Sequence, residues 1–201
     1  MSKPRRIALA ITGASGTVYG LRVLEALLRQ RGVEVHLTIS KSAQQVLAVE
    51  QGIEIDVQAA KLSGLGVPNL ERAVYHRNDN IGAALASGSF RLEALAVVPC
   101  SMGCVAAIAH GLSDDLIQRT ADVVLKERRK LLLVPRETPF STLHLENLLR
   151  LSQMGVVVLP ACPGFYGKPQ SIDDMVNFIV ARVLDHLGVE HDFGPRWGER
   201  L

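Results

Sequence analysis

A chain of 201 residues with 48% apolar side chains has material for one full core, and it predicts a single α/β domain over 1–201. The formal net charge of +2 argues against nucleic acid or a membrane surface as the main partner. No run of about 18 apolar residues is present to span a bilayer, and Met1-Ser2-Lys3-Pro4-Arg5-Arg6 leads straight into an apolar strand, which predicts a cytoplasmic protein.

The first element carries the most information. Residues 8–12 form an apolar, β-prone run that empties into Gly13-Ala14-Ser15-Gly16 and then into a helix carrying Leu21, Val23, Leu24 and Leu27. Small residues followed by a helix N-terminus expose unpaired amides and the positive end of a dipole, so this turn reads as a phosphate cradle. Its spacing is neither G-x-G-x-x-G nor G-x-x-x-x-G-K-[ST], which points away from NAD and ATP and towards a mononucleotide such as FMN. The competing reading is a purely structural turn with Ser15 as a helix cap.

Residues 33–39 predict a second strand, and Ser40-Lys41-Ser42 caps a helix to about Gln51. Residues 52–75, with Gly64, Gly66 and Pro68, predict short helical pieces in a surface connection. A strand over 94–99 meets the small-residue turn Cys100-Ser101-Met102-Gly103-Cys104 and a helix to Ala109. Ser113-Asp114-Asp115 caps a helix over 116–129, and Lys126, Arg128, Arg129 and Lys130 at its end read as a solvated C-terminus against the helix dipole. A strand over 131–134, a helix over 141–153, a strand over 156–159 and a helix over 172–187 complete the chain.

Strands alternating with helices require a parallel sheet covered on both faces, a Rossmann-like or flavodoxin-like architecture whose ligands bind beyond the carboxyl ends of the strands. The turns after the five clearest strands hold residues 13–16, Ser40, residues 101–104, Pro135-Arg136-Glu137 and residues 160–166 ending in Tyr166. One rim therefore gathers phosphate-friendly donors, an Arg-Glu pair and a tyrosine. The three cysteines lack C-x-x-C spacing and the six histidines form no metal motif, so no disulfide framework and no metal site are expected.

Read in order, these segments resemble the UbiX-type flavin prenyltransferases of the HFCD flavoprotein superfamily over nearly the whole chain. The resemblance rests on residues 13–16 with Tyr19-Gly20, Ile39-Ser40-Lys41, Glu50, Ser87-Gly88-Ser89-Phe90, Pro99-Cys100-Ser101-Met102 and Arg119. It continues through ADVVLKERR at 121–129, PRETPF at 135–140, Pro163-Gly164-Phe165-Tyr166 with Pro169-Gln170-Ser171, and Arg196-Trp197. The chain departs at Asn80-Ile81-Gly82, where some members carry an aromatic residue in a wall of the isoprenoid pocket. The resemblance implies that reduced FMN and dimethylallyl phosphate combine, at flavin N5 and then C6 and without metal, to give prenylated FMN for a UbiD-type decarboxylase. It also implies a homo-oligomer, a dodecamer with sites at subunit contacts.

Residue by residue, the same resemblance implies that Ser15 and Glu50 relay the N5 proton. Glu137 exchanges a proton with the leaving phosphate. Gly13, Ala14, Ser15, Ser40, Ser101, Met102, Gly103, Cys104 and Arg136 contact FMN. Lys126, Arg136, Tyr166 and Arg182 grip the phosphate, a task suited to charge-assisted donors. Arg119, two turns before Lys126, is either a surface residue or part of the same site across a subunit boundary. Bland readings stand beside these: an i, i+4 pair from Asp122 to Lys126, worth about 0.3–0.5 kcal/mol, and an Arg182 that snorkels from an apolar helix. Two other functions compete. A flavin-dependent cysteine-type decarboxylase of the same superfamily needs a histidine soon after the second strand and a PASANT-like string, and this chain has neither. An FMN-binding module without catalysis leaves the cluster of Lys126, Arg136, Glu137, Tyr166 and Arg182 unexplained.

Overall fold

The computed structural model describes residues 4–194 and Gly198; Arg196 and Trp197 lie outside the described residues. In chain order the elements are β1 (Arg5–Ile11), α1 (Thr17–Arg29), β2 (Val33–Ile39), α2 (Lys41–Gln51), β3 (Val74–Tyr75), β4 (Ala94–Cys100), α3 (Met102–Ala109), α4 (Leu116–Lys126), β5 (Lys130–Pro135), α5 (Thr142–Gln153), β6 (Val157–Val158) and α6 (Ile172–Leu187). The six strands form one parallel sheet in the order β3-β2-β1-β4-β5-β6. The chain moves outward from β1 first to one side and then to the other. A crevice therefore opens between the carboxyl ends of β1 and β4.

Strand alternation sorts the core into two layers. Ile7, Leu9 and Ile11 of β1 face one layer with Val35, Leu37 and Ile39 of β2, covered by Leu24 and Leu27 of α1 and by Val180, Val183 and Leu184 of α6. Ala8 and Ala10 face the opposite layer with Leu95 and Val97 of β4, covered by Val105 and Ile108 of α3 and by Ile117, Ala121 and Val124 of α4. Burial on both faces explains the near-continuous apolar strands. Helix starts follow the local chemistry: Ser40, Ser101, Asp115, Ser141 and Ser171 each cap a helix by accepting a first-turn amide.

One helix does not pack back along the sheet. Ser40 at the start of α2 donates its amide to the Ile11 carbonyl, at the end of β1. Ten residues on, Glu50 and Gln51 bond to Gly16 and Thr17 at the start of α1. Both ends of α2 thus touch the turn after β1, and the helix lies along the carboxyl rim as one wall of the crevice.

Two expectations need correction. The 52–75 stretch contains 3-10 turns at 63–65 and 70–72, as its composition suggests, but it ends in the edge strand β3. A strand of two residues is too short to show a period. The helix expected over 116–129 stops at Lys126, because Arg128 turns into the left-handed region (φ 56°). Arg129 is consequently not a solvated cation: its guanidinium donates to the carbonyls of Gly88 and Phe90 at 2.7 and 2.8 Å and ties the 87–90 loop to the start of β5.

Candidate active site

The crevice floor is fixed by Thr12, a buried residue just past β1. Its hydroxyl donates to the Pro99 carbonyl (2.9 Å) and accepts from the Ser101 amide (2.8 Å), so β1 and β4 are joined where they diverge. Sequence reading placed Thr12 in the strand and gave it no role. The available signal was a threonine closing an otherwise apolar run at a strand end.

The 13–16 turn lies beside this floor. Gly16 has φ +97°, which favours glycine, and a Cβ there would also meet the Tyr19 ring at 2.8 Å. A Cβ on Gly13 would fall 2.5 Å from Ser42, so the turn is seated against the start of α2. The α1 N-terminus does not present the free amides expected of a phosphate cradle. The Gly16 and Thr17 amides donate to the Glu50 carboxylate at 3.1 and 3.2 Å, and the Thr17 hydroxyl donates at 3.0 Å. The helix dipole is therefore already met by the protein's own anion. Partial burial pushes the Glu50 carboxyl upward, but hydrogen bonds from the Ser15 hydroxyl, Gly16 and Thr17 outweigh it and hold the group below the usual carboxylate range.

Helices α2 and α3 also start at this rim, after β2 and β4. The α2 first turn carries no acidic residue, and the Ser40 and Ser42 hydroxyls sit 3.0 Å apart at its start. Ser101 caps α3 through the Cys104 amide, with Met102 buried and Gly103 exposed beside them. The buried Cys100 thiol is pushed well up by burial and by its contact with Cys104, so it stays protonated. Arg136 follows β5, its amide bonded to the Cys100 carbonyl (3.3 Å), with an exposed side chain. Glu137 is exposed next to it and accepts from the Thr138 amide (3.0 Å). Tyr19, also without an expected role, lies at this rim: burial raises its hydroxyl pKa while Arg136 nearby opposes the rise.

The structure gathers Gly13, Ala14, Ser15, Ser40, Glu50, residues 101–104, Arg136 and Glu137 around one crevice. It does not bring the other phosphate candidates there within the chain. Lys126 pairs with Glu127 at 2.7 Å rather than with Asp122, and its ammonium abuts Gly88. Lys130 and Arg136 mark opposite ends of β5, about 20 Å apart at ~3.3 Å per residue, and Lys126 belongs with the Lys130 end. Arg119 bonds to Asp122 (2.6 Å) and to the Ala86 carbonyl (3.3 Å). Tyr166 and Arg182 line a separate cavity of about 620 Å³ with Phe178, Asp185, His191 and Phe193, and none of the crevice residues belongs to it. Arg182 is half exposed, in an ion pair with Asp185.

Among the described residues no group of three or more His, Cys, Asp or Glu is placed to hold a metal ion. No helix among them is long and apolar enough to cross a membrane.

Comparison with known proteins gives a consistent result. The flavoprotein family matches residues 1–184. A flavin prenyltransferase UbiX from Pseudomonas aeruginosa is 50% identical over 205 aligned residues, which cover 100% of this chain and 97% of that protein. Among solved structures, AnUbiX in complex with FMN and dimethylallyl pyrophosphate superposes with TM-score 0.88 at 42% identity, covering 99% of this chain and 100% of that one. A dodecameric FMN-dependent UbiX-like decarboxylase from Escherichia coli O157:H7 superposes with TM-score 0.87 at 42% identity, covering 96% and 98%.

Proposed function

The chain belongs to the flavoprotein family and, within it, to the UbiX-type flavin prenyltransferases, and from that premise we propose how its residues divide the work. The enzyme joins the dimethylallyl group of dimethylallyl phosphate to reduced FMN and releases inorganic phosphate. The observation that carries this activity is the full-length 50% identity to a flavin prenyltransferase. The donor set also fits the acceptor: hydroxyls and acid-free helix amides at one end suit a phosphate, and a hydroxyl backed by a carboxylate suits a ring N–H.

When bound, reduced flavin supplies the nucleophilic N5 and C6. The Ser40–Ser42 start of α2 holds the FMN phosphate. Ser101, Met102, Gly103 and Cys104 with Gly13 and Ala14 form the walls against the ring, and Arg136 bridges towards the incoming phosphate. Ser15 Oγ accepts the ring proton while its own hydrogen passes along the hydrogen bond to the Glu50 carboxylate. The donors around Glu50 hold it ionised beforehand, so the site rests with a base ready to take that proton. Glu137, exposed beside Arg136, exchanges a proton with the departing phosphate.

The remaining phosphate contacts reach the reaction through assembly. Arg119, Lys126, Tyr166 and Arg182 stand apart from the crevice of their own chain, so packing of copies into a homo-oligomer, a dodecamer as in the E. coli relative, sets them against a neighbour's Arg136. We infer further that all 201 residues act as one flavoprotein domain in the cytoplasm, and that a UbiD-type decarboxylase receives the product. The direct test is mass analysis of flavin after anaerobic incubation with reduced FMN and dimethylallyl phosphate, no metal added. A species heavier by one C5H8 unit, with one phosphate released per flavin, is expected; recovery of unmodified FMN alone would refute the activity.

A further inference from the structure

Arg182 is held from behind by a connected pair of groups. Asp185, one turn later on α6, accepts from its guanidinium at 3.1 Å through Oδ2. The other carboxylate oxygen, Oδ1, lies 3.1 Å from Nε2 of His191, in the segment after α6. His191 Nδ1 accepts the Phe193 amide (3.2 Å), which places the ring hydrogen on Nε2 and makes His191 the donor to Asp185. Exposure of the side chains rises along the line, from 3% at His191 through 24% at Asp185 to 50% at Arg182. All three line the same cavity as Tyr166.

An ordinary i, i+3 surface pair does not recruit a buried imidazole of defined tautomer. We propose that His191 and Asp185 are positioning residues, which hold the Arg182 guanidinium in the orientation that meets the departing phosphate. A long arginine side chain loses much freedom when it grips an anion; a carboxylate locked by a buried histidine removes that freedom in advance. The inference rests on the reading of Arg182 as a phosphate contact.

Asp185 also offsets part of the Arg182 charge, so its removal has opposing effects on phosphate affinity. The histidine is the cleaner probe, because changing it leaves both charges in place. His191→Phe keeps a ring and loses the donor, whereas His191→Gln keeps an N–H near the Nε2 position. In the FMN-loaded full-length enzyme, His191→Phe is expected to raise KM for dimethylallyl phosphate by about tenfold. His191→Gln should restore most of that loss, and the dissociation constant for FMN should stay at its wild-type value in both. In an Arg182→Ala background, His191→Phe should add nothing further. Equal KM increases in the Phe and Gln variants would show mere packing and overturn the inference, as would a wild-type KM in His191→Phe when Arg182→Ala alone raises it. A wild-type KM in Arg182→Ala would overturn the reading of Arg182 itself, and the inference with it.

Discussion

The Thr12 hydroxyl and the Ser101 amide, 89 positions apart in sequence, meet at 2.8 Å and close the floor of the crevice between β1 and β4. The same hydroxyl donates to Pro99. Replacing Thr12 with the nearly isosteric valine leaves the part-buried Ser101 amide without its acceptor, at a cost of about 1 kcal/mol or more, while the Pro99 carbonyl keeps the Thr12 amide. Thr12→Val should therefore unfold at lower denaturant concentration and retain less FMN, while Thr12→Ser stays close to wild type. Denaturant unfolding with flavin fluorescence separates the two.

Glu50 gives a prediction with a defined pH sign. Its folded pKa is below the ordinary value, so its stabilising contribution is present above an unfolded pKa of about 4.3 and is lost as pH falls through the folded value. In Glu50→Gln one carboxylate oxygen becomes an NH2 group facing donors. The variant should be less stable near neutrality by no more than about 1 kcal/mol, because solvent screens this exposed carboxylate, and this deficit should shrink in acid. Thermal unfolding between pH 7 and pH 3 measures it; a deficit independent of pH would contradict the role of the charge.

The same sign, in a higher pH window, is expected at a part-buried histidine pair. His36 Nδ1 lies 2.9 Å from His76 Nε2, and His36 Nε2 lies 2.8 Å from Glu34. Phe90 packs edge-on against His36, and Arg6 lies over the Phe90 ring. Burial lowers both imidazole pKa values; for His36 the Glu34 carboxylate opposes this and Arg6 adds to it, and for His76 the His36 ring adds to it. A histidine with a lowered folded pKa stabilises above the unfolded value of about 6.5 and loses that contribution as pH falls towards the folded value. Stability should thus decline below pH 6.5 with a slope of at most ~1.4 kcal/mol per pH unit for each proton. His76→Gln should flatten the decline, and calorimetry at pH 7.5, 6.5 and 5.5 checks it.

Assembly of the site across subunits predicts complementation. Lys126→Ala and Arg136→Ala should each lower prenylation by about 10²-fold or more if both grip transition-state charge. Mixed oligomers made by co-refolding the two variants should regain activity, because some neighbours pair an intact Lys126 with an intact Arg136. Mixtures no more active than either parent would place both residues in one subunit's site.

The parts of this molecule legible in sequence are those governed by local chemistry. Serine caps mark the starts of α2, α3, α5 and α6, and α6 spans the predicted 172–187. Apolar runs mark β1, β2, β4 and β5, and from their order the rim follows. The seating of Glu50 on the α1 N-terminus was not legible: an anion-binding turn looks the same whether its anion is a ligand or a carboxylate 34 residues away. Lys126 and Arg182 lie within helices, and a helical position carries no address at either edge of the sheet. The local alternative for Lys126 also failed, since Asp122 is taken by Arg119 and Glu127 lies nearer.

The placement of α2 along the rim has a consequence for ligand capture. The helix, about 15 Å long at 1.5 Å per residue, is fastened to the turn after β1 by the Ser40 amide at one end and by Glu50 and Gln51 at the other. It behaves as a beam supported at both ends. The entropy of ordering that wall is spent when the chain folds, so a ligand entering the crevice meets a preorganised surface and its binding energy remains available to orient the reacting atoms.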